Sequence, residues 1–298
     1  MLVLESEKFK PRSVSRVVRA ALATVCTITL RQTVETISVP RNYTFQPADN
    51  RRTAQWIESQ LRDAGYHVER QGEFDNLLAL PTAKTKPSIL VGAHYDSVAG
   101  TFGADDNASA VAAVLECARA LTKAATQAPV GFVIFNREED GLLGSRDFVE
   151  NFAPLAGWQL RAVHILEMVG YCDARPGSQK LPPGLPIKIR DRGDFLAILS
   201  NRDSTALVNP LLQTARTYLP DLPVTALKVF LGMEKFLPNL ERSDHAPFWK
   251  ARFPALMWTD TSEFRNPNYH LDSDRPETLD YGFLAKVTQL LIAHVMQA

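Results

Sequence analysis

The run SILVGAHYDSVAGTFGADDNASAVAAVLECARAL occupies residues 88–121 and changes character twice. Ile89 to Ala93 is short and apolar, the composition of a strand buried on both faces, and it stops abruptly at His94-Tyr95-Asp96. A loop with Gly100 and Gly103 follows, then Ala104-Asp105-Asp106-Asn107. A helix is predicted from about Ala108 to Leu121, with Val111, Val114, Leu115 and Ala118 on one face. Strand, loop and helix make the unit of an α/β sheet, and such sheets keep their chemistry outside the carboxyl ends of the strands. His94 and Asp96 are two residues apart, so on an extended strand end both side chains point to the same face. That suits a metal-bound imidazole whose second nitrogen needs a carboxylate acceptor. Asp105 and Asp106, taken alone, are better explained as helix-capping and dipole-compensating residues.

Working outward, the 298 residues carry 33 basic and 33 acidic side chains, which neither form long blocks nor leave a net charge. Nucleic-acid binding is therefore not expected. No apolar run reaches the roughly 20 residues that span a bilayer. Ala20 to Leu30, preceded by Lys8, Lys10, Arg12, Arg16 and Arg19, has the outline of a leader, but Thr24, Thr27 and Thr29 dilute it and an amphipathic helix is the expectation. Cys26, Cys117 and Cys172 are odd in number and far apart, so free thiols are expected rather than a disulfide framework. Residues 1–29 read as a leader or N-terminal helix and 30–298 as one domain. A cytoplasmic location is expected, with a periplasmic or secreted one as the alternative.

A helix capped by Asp49 is predicted to run to Ala64, where Gly65 stops it; strands follow around Tyr66–Val68, with His67 on the surface, and at Asn76–Leu80. Val130 to Phe135 is a second buried strand, ending in Asn136-Arg137-Glu138-Glu139-Asp140. At about 4 Å and an effective dielectric near 20, each like-charge pair costs on the order of 4 kcal/mol, so three adjacent acids need either solvent or a cation. A further strand, Ala162 to Leu166, again meets an acid, Glu167. Three strands thus end in groups able to bind a metal.

Cys172 to about Leu185 is rich in Pro and Gly, and residues 172–205 are expected to form a loop-rich cover over the site. Asp194–Asn201 and Pro210–Tyr218 are predicted helical, Val224–Phe230 and Phe253–Trp258 extended, and a closing helix starts near Pro276 and runs to Met296.

The set His94-x-Asp96, Asp106-Asn107-Ala108-Ser109, Glu138-Glu139, Glu167 and Tyr269-His270 resembles the co-catalytic di-zinc aminopeptidases of metallopeptidase family 28, from about Leu30 to the C-terminus. The resemblance implies that Asp106 bridges two zinc ions, with His94 and Glu167 completing one site and Glu139 and His270 the other. It also implies that Glu138 is the general base acting on a metal-bridging hydroxide, Asp96 the partner of His94, and Tyr269 a donor to the developing oxyanion. Two zinc ions would bring four positive charges to meet the four negative ones of Asp106, Glu138, Glu139 and Glu167.

Two positions depart from the common family pattern: Glu167 stands where Asp is usual, and Leu271-Asp272 follows His270 in place of Thr-Pro. A single zinc therefore stays open. Ser243-Asp244-His245 matches a family segment in the substrate pocket or beside the ligands. Asp140, Asp105 and Asp244 are candidates to hold a substrate amine, and Trp158, Phe230, Phe236, Trp249 and Phe264 are candidate pocket walls or core residues.

The expected fold is a single three-layer α/β/α sandwich with a mixed, largely parallel central sheet, of the zinc-exopeptidase kind. The expected activity is removal of N-terminal residues from peptide or aminoacyl substrates. The rivals are a single-zinc glutaminyl cyclase, which uses a similar fold, and a non-catalytic binding module of the transferrin-receptor type. Retention of His94 and Tyr269 favours the peptidase, and every ligand position is still filled by a group able to bind zinc.

Overall fold

Alternation within the buried strands explains the layers. In the computed structural model, which describes residues 1–6, 9–82, 84–125, 129–153, 157–182 and 187–298, every strand of the sheet centre is apolar on both faces. The chain begins with β1 (Leu2–Glu5), then α1 (Arg16–Leu22), α2 (Thr27–Ile37) and α3 (Pro47–Asp63). β2 (His67–Gln71), β3 (Asn76–Leu80), β4 (Ile89–His94), α4 (Ala110–Lys123), β5 (Val130–Phe135), α5 (Leu143–Asp147) and β6 (Ala162–Glu167) follow. The last third holds β7 (Leu196–Ser200), α6 (Thr205–Tyr218), β8 (Val224–Val229), α7 (His245–Lys250), β9 (Ala255–Thr259) and α8 (Tyr281–Val295).

The nine strands form one mixed sheet in the order β1-β8-β7-β9-β6-β4-β5-β3-β2. Its centre, β9-β6-β4-β5, is parallel. Leu77, Ala79, Val91 and Ala93 point to the large core shared with α1, α2, α4, α6 and α8, while Leu78, Leu80, Leu90, Val133 and Ile165 pack with Phe148, Trp158 and Phe248 on the other face. A strand covered on both faces has no reason to alternate with polar residues, which is why these runs read as continuous apolar segments. The parallel order brings the carboxyl ends of β5, β4 and β6 side by side, and the acids that follow those strands with them.

Three boundaries differ from the sequence expectation. Asp194–Asn201, expected helical, contains β7, which pairs parallel with β8 and antiparallel with β9. A five-residue apolar run is compatible with either structure by pattern, and two open sheet edges settle it here. Leu2–Glu5 is an edge strand antiparallel to β8, with Lys228 Nζ 2.9 Å from Glu5 Oε2. Asp49 lies in the first turn of α3 rather than at its cap, which is Gln46. The cover expected over 172–205 includes residues 183–186, which lie outside the described residues, and also includes β7.

Candidate metal centre and active site

His94 is the last residue of β4, and the chain turns so that Asp96 folds back beneath its ring: Asp96 Oδ1 lies 3.3 Å from His94 Nδ1. The same carboxylate accepts the backbone N–H groups of Glu138 and Glu139, each at 3.2 Å. Asp96 thereby joins the end of β4 to the loop after β5. Asp105 and Asp106 follow Gly103, whose φ of +56° is left-handed and whose added Cβ would lie 2.3 Å from the Asp106 carbonyl oxygen, so a side chain there would displace Asp106. The peptide between Asp106 and Asn107 is cis. Asp274 accepts the N–H groups of Asp105 and Asp106 at 2.9 and 3.1 Å, supporting the turn from the C-terminal side.

The two oxygens of Asp106 face two different imidazoles. Oδ1 is 3.3 Å from His94 Nε2 and Oδ2 is 3.2 Å from His270 Nε2. Glu167 Oε2 lies 3.3 Å from His94 Nε2, and Glu139 Oε2 lies 3.5 Å from His270 Nε2. Glu138 Oε2 stands further off, 4.0 Å from His94 Nε2. Glu167, at the end of β6, is held by Ser243 Oγ at 2.7 Å and Asn107 Nδ2 at 3.2 Å, both donating to Oε2. Tyr269 stacks on His270 with ring centroids 3.7 Å apart, and its hydroxyl accepts from Arg242 Nη2 at 2.6 Å.

The charges explain the electrostatics. Burial pushes Glu138 and Glu139 well above the usual carboxylate range, and neighbouring carboxylates add to the push: Glu167 and Glu139 on Glu138, Asp106 on Glu139. His94 moves the other way from an ordinary buried histidine: burial works against its charged form, yet Glu138, Glu167, Asp106 and Asp96 hold its pKa well above normal. Asp106 is lowered despite burial, because the His270 and His94 imidazoles both lie against its oxygens and favour its charged form. Three buried atoms in this cluster lack a hydrogen-bond partner among the described residues: His94 Nε2, Asp106 Oδ1 and Glu139 Oε1. A ring nitrogen and two carboxylate oxygens, close together but out of hydrogen-bond alignment, are donor types that zinc takes. Within the described residues, His94 with Glu138 and Glu167, and His94 with Asp106 and Glu139, have donor atoms within 4.8 Å of one another.

All eight residues singled out from the sequence for catalysis or metal binding thus lie in one cluster. The other candidates are not among its members, although the charge of Asp244 acts on Glu138 and those of His94 and Glu167 on Asp244. Asp105 is occupied by the Gly170 N–H at 2.9 Å and Asn266 Nδ2 at 2.7 Å, and Asp140 by Arg137 Nε at 2.9 Å. Asp244 is fully buried, and burial pushes its carboxyl up to about 7. His245, the first residue of α7, is engaged with the preceding segment, its Nε2 meeting the Leu240 carbonyl at 2.8 Å. Of the aromatic wall candidates only Phe264 lines the cavity of about 500 Å³ that opens on Asp106, Glu138, Glu139 and Glu167; Trp158 and Trp249 are core, and Phe236 is exposed. The acids on that wall beyond the cluster are Glu241 and Glu263. Arg41 and Arg242 were missed, because neither sits in a pattern that distinguishes it from other arginines.

Paired histidines and clustered carboxylates beyond the strand ends of an α/β/α sandwich are donor types that metal-dependent hydrolases use. The model of peptidase family M28 matches residues 76–189, and the chain is 33% identical over 258 residues to the uncharacterized protein YfbL of Escherichia coli, covering 81% of this chain and 78% of that one. The chain belongs to peptidase family M28 and is an enzyme of the peptidase hydrolase class. Its fold is shared with the LapA aminopeptidase of Legionella pneumophila (TM-score 0.73, 22% identity, 97% of this chain and 77% of that chain). It is shared as well with the glutaminyl cyclase of Porphyromonas gingivalis (TM-score 0.68, 19% identity, 92% and 98%). No helix among the described residues is long and apolar enough to cross a membrane.

Proposed function

We propose that this peptidase is a zinc-dependent aminopeptidase with Glu138 as its general base. The observation that carries the reading is Asp106, whose two oxygens each meet a different imidazole at 3.2–3.3 Å while Glu138 stays outside both pairs. His94, Asp106 and Glu167 would hold one zinc, and Asp106, Glu139 and His270 the other. Zinc bound there would polarise the scissile carbonyl and lower the pKa of the attacking water. Glu138 then takes the proton from that water and returns it to the leaving amine. Its carboxylate is aimed by the hydrogen bond from its own N–H to Asp96. Burial, with Asp106 adding, raises the Tyr269 phenol well above its ordinary value, so it keeps its proton and can donate to the carbonyl oxygen as charge develops there. Leu199, Leu227, Met257 and Phe264 on the cavity wall suit an apolar side chain on the substrate's first residue.

The likeness to a glutaminyl cyclase and the presence of Glu167 keep one second reading in view, a single-zinc cyclotransferase. Elemental analysis of the purified protein, with hydrolysis of an aminoacyl-arylamide panel and cyclisation of glutaminyl peptides before and after chelation, separates the two. About two zinc per chain and chelator-sensitive hydrolysis that Glu138→Gln abolishes are expected. One zinc with cyclisation and no hydrolysis would replace the aminopeptidase reading, and no metal would end both.

A further inference from the structure

Arg41 lies in the extended connection before α3 and has no solvent exposure. Burying a guanidinium is costly unless it is paired, and the usual partner is a carboxylate. Here each of the three guanidinium nitrogens bonds a backbone carbonyl instead, through four of the five N–H groups. Nε bonds Tyr95 O at 2.6 Å, Nη1 bonds Phe102 O at 2.6 Å and Val39 O at 3.2 Å, and Nη2 bonds Gly103 O at 2.8 Å. Its own N–H donates to Ser97 Oγ at 3.1 Å, and the next residue continues the tie, Asn42 Nδ2 donating to Ser97 O at 3.0 Å.

Three of these carbonyls, those of Tyr95, Phe102 and Gly103, belong to the two ends of one loop. Tyr95 sits between His94 and Asp96; Phe102 and Gly103 lead directly into Asp105 and Asp106. A planar fork with donors in fixed directions can hold both ends at once, which a lysine with its single ammonium cannot. The charge has a second consequence. The bonded carbonyls solvate the cation without neutralising it, and the acids whose charges favour its charged form are Asp96, Asp274, Asp106 and Glu139.

We propose that Arg41 is a positioning residue of this site: it clamps the ends of loop 95–103, setting Asp106 against His94, and its unneutralised charge offsets the carboxylates clustered beside it. The proposal rests on the zinc-aminopeptidase reading above. It differs from a packing role in predicting that geometry and charge separate on substitution.

The test uses the full chain, stripped by chelator and reloaded with zinc, as wild type, Arg41→Lys and Arg41→Met. Zinc-loaded Arg41→Lys is expected to lose about a hundredfold in kcat with KM within about threefold of wild type, since a displaced ligand loop misplaces the reacting groups without closing the cavity. Metal-free Arg41→Lys should unfold near the wild-type temperature and metal-free Arg41→Met well below it, with zinc narrowing the difference. Wild-type kcat in Arg41→Lys would overturn the clamp, and equal metal-free unfolding temperatures for the two variants would overturn the charge. If Arg41→Met does not fold without zinc, while Arg41→Lys does, the charge role stands, and the kcat–KM split of Arg41→Lys still decides the clamp. Wild type that binds no zinc would strike the zinc-aminopeptidase reading, and the metal-free comparison would still judge Arg41.

Discussion

Glu138 and Glu139 are adjacent, but Asp96 accepts both backbone N–H groups and the side chains then diverge, Glu139 to His270 and Glu138 into the cavity. Glu138→Gln keeps the shape and removes the base. It should lower kcat by about 10²- to 10⁴-fold while zinc content stays at the wild-type level. Its metal-free form should unfold no lower than wild type, because a buried carboxyl already pushed toward neutrality has been replaced by a neutral group. Steady-state kinetics with elemental analysis checks this, and kcat within a few-fold of wild type would remove Glu138 as the base. Ser243 makes a subtler case. Its 2.7 Å bond holds the oxygen of Glu167 that faces His94, so Ser243→Ala should weaken one of two zinc equivalents by about 10- to 100-fold, at about 1 kcal/mol of stability. Zinc titration showing two unchanged affinities would show that Asn107 alone suffices. The clustered histidines and acids could be read from the chain because such residues after apolar strands are expensive without a purpose. Arg41 could not, since what sets it apart is four carbonyls contributed by residues up to 62 positions away.

At the scale of elements, β6, β9 and α8 meet through three rings. His164 accepts from Trp258 Nε1 at 3.3 Å, and its ring lies edge-on to His294 at 5.0 Å between centroids. Burial pushes His294 down to about 4 from 6.5, and burial with the charge of His294 lowers His164 well below its usual value. Both rings are neutral in the fold at neutral pH. Because the unfolded chain takes up their protons first, the stability they allow is complete above pH 6.5 and is lost as pH falls toward 4, about 3 kcal/mol for His294 alone. The raised carboxyls of the active site titrate with the opposite sign, so the useful quantity is a difference. His294→Leu should lose less stability than wild type between pH 7 and 4, measured by urea unfolding at each pH; parallel curves would mean that His294 is not buried neutral. Elements were legible where both faces of a strand are buried, as in β4, β5 and β6. They were not where pairing decides: β7 is five residues that a helix could equally use, and β1 is four residues whose partner, β8, lies more than two hundred positions on.

Across the whole molecule, the sheet order makes the site and its repulsion together. Parallel pairing of β4 with both β5 and β6 brings chain segments around residues 94, 138 and 167 to one edge, so folding itself concentrates Asp96, Asp106, Glu138, Glu139 and Glu167. The same order sets two antiparallel strands, β3 and β2, beyond β5. Such a fold is stable without metal only to the extent that protonation, Arg41 and the two imidazoles offset the acids. A cation that binds the folded chain and not the unfolded one adds RT ln(1 + [L]/Kd), about 4 kcal/mol at a thousandfold excess over Kd. For a chain of this size, zinc is therefore expected to raise the unfolding temperature of the chelator-stripped protein by on the order of 10 °C, reversibly. Magnesium should do far less, because it dehydrates reluctantly and disfavours imidazole. Differential scanning calorimetry on stripped, zinc-loaded and magnesium-loaded protein measures the three together. Equal unfolding temperatures in all three would mean that the carboxylates are already neutralised by protons and protein cations, and that the cluster was not assembled around a metal.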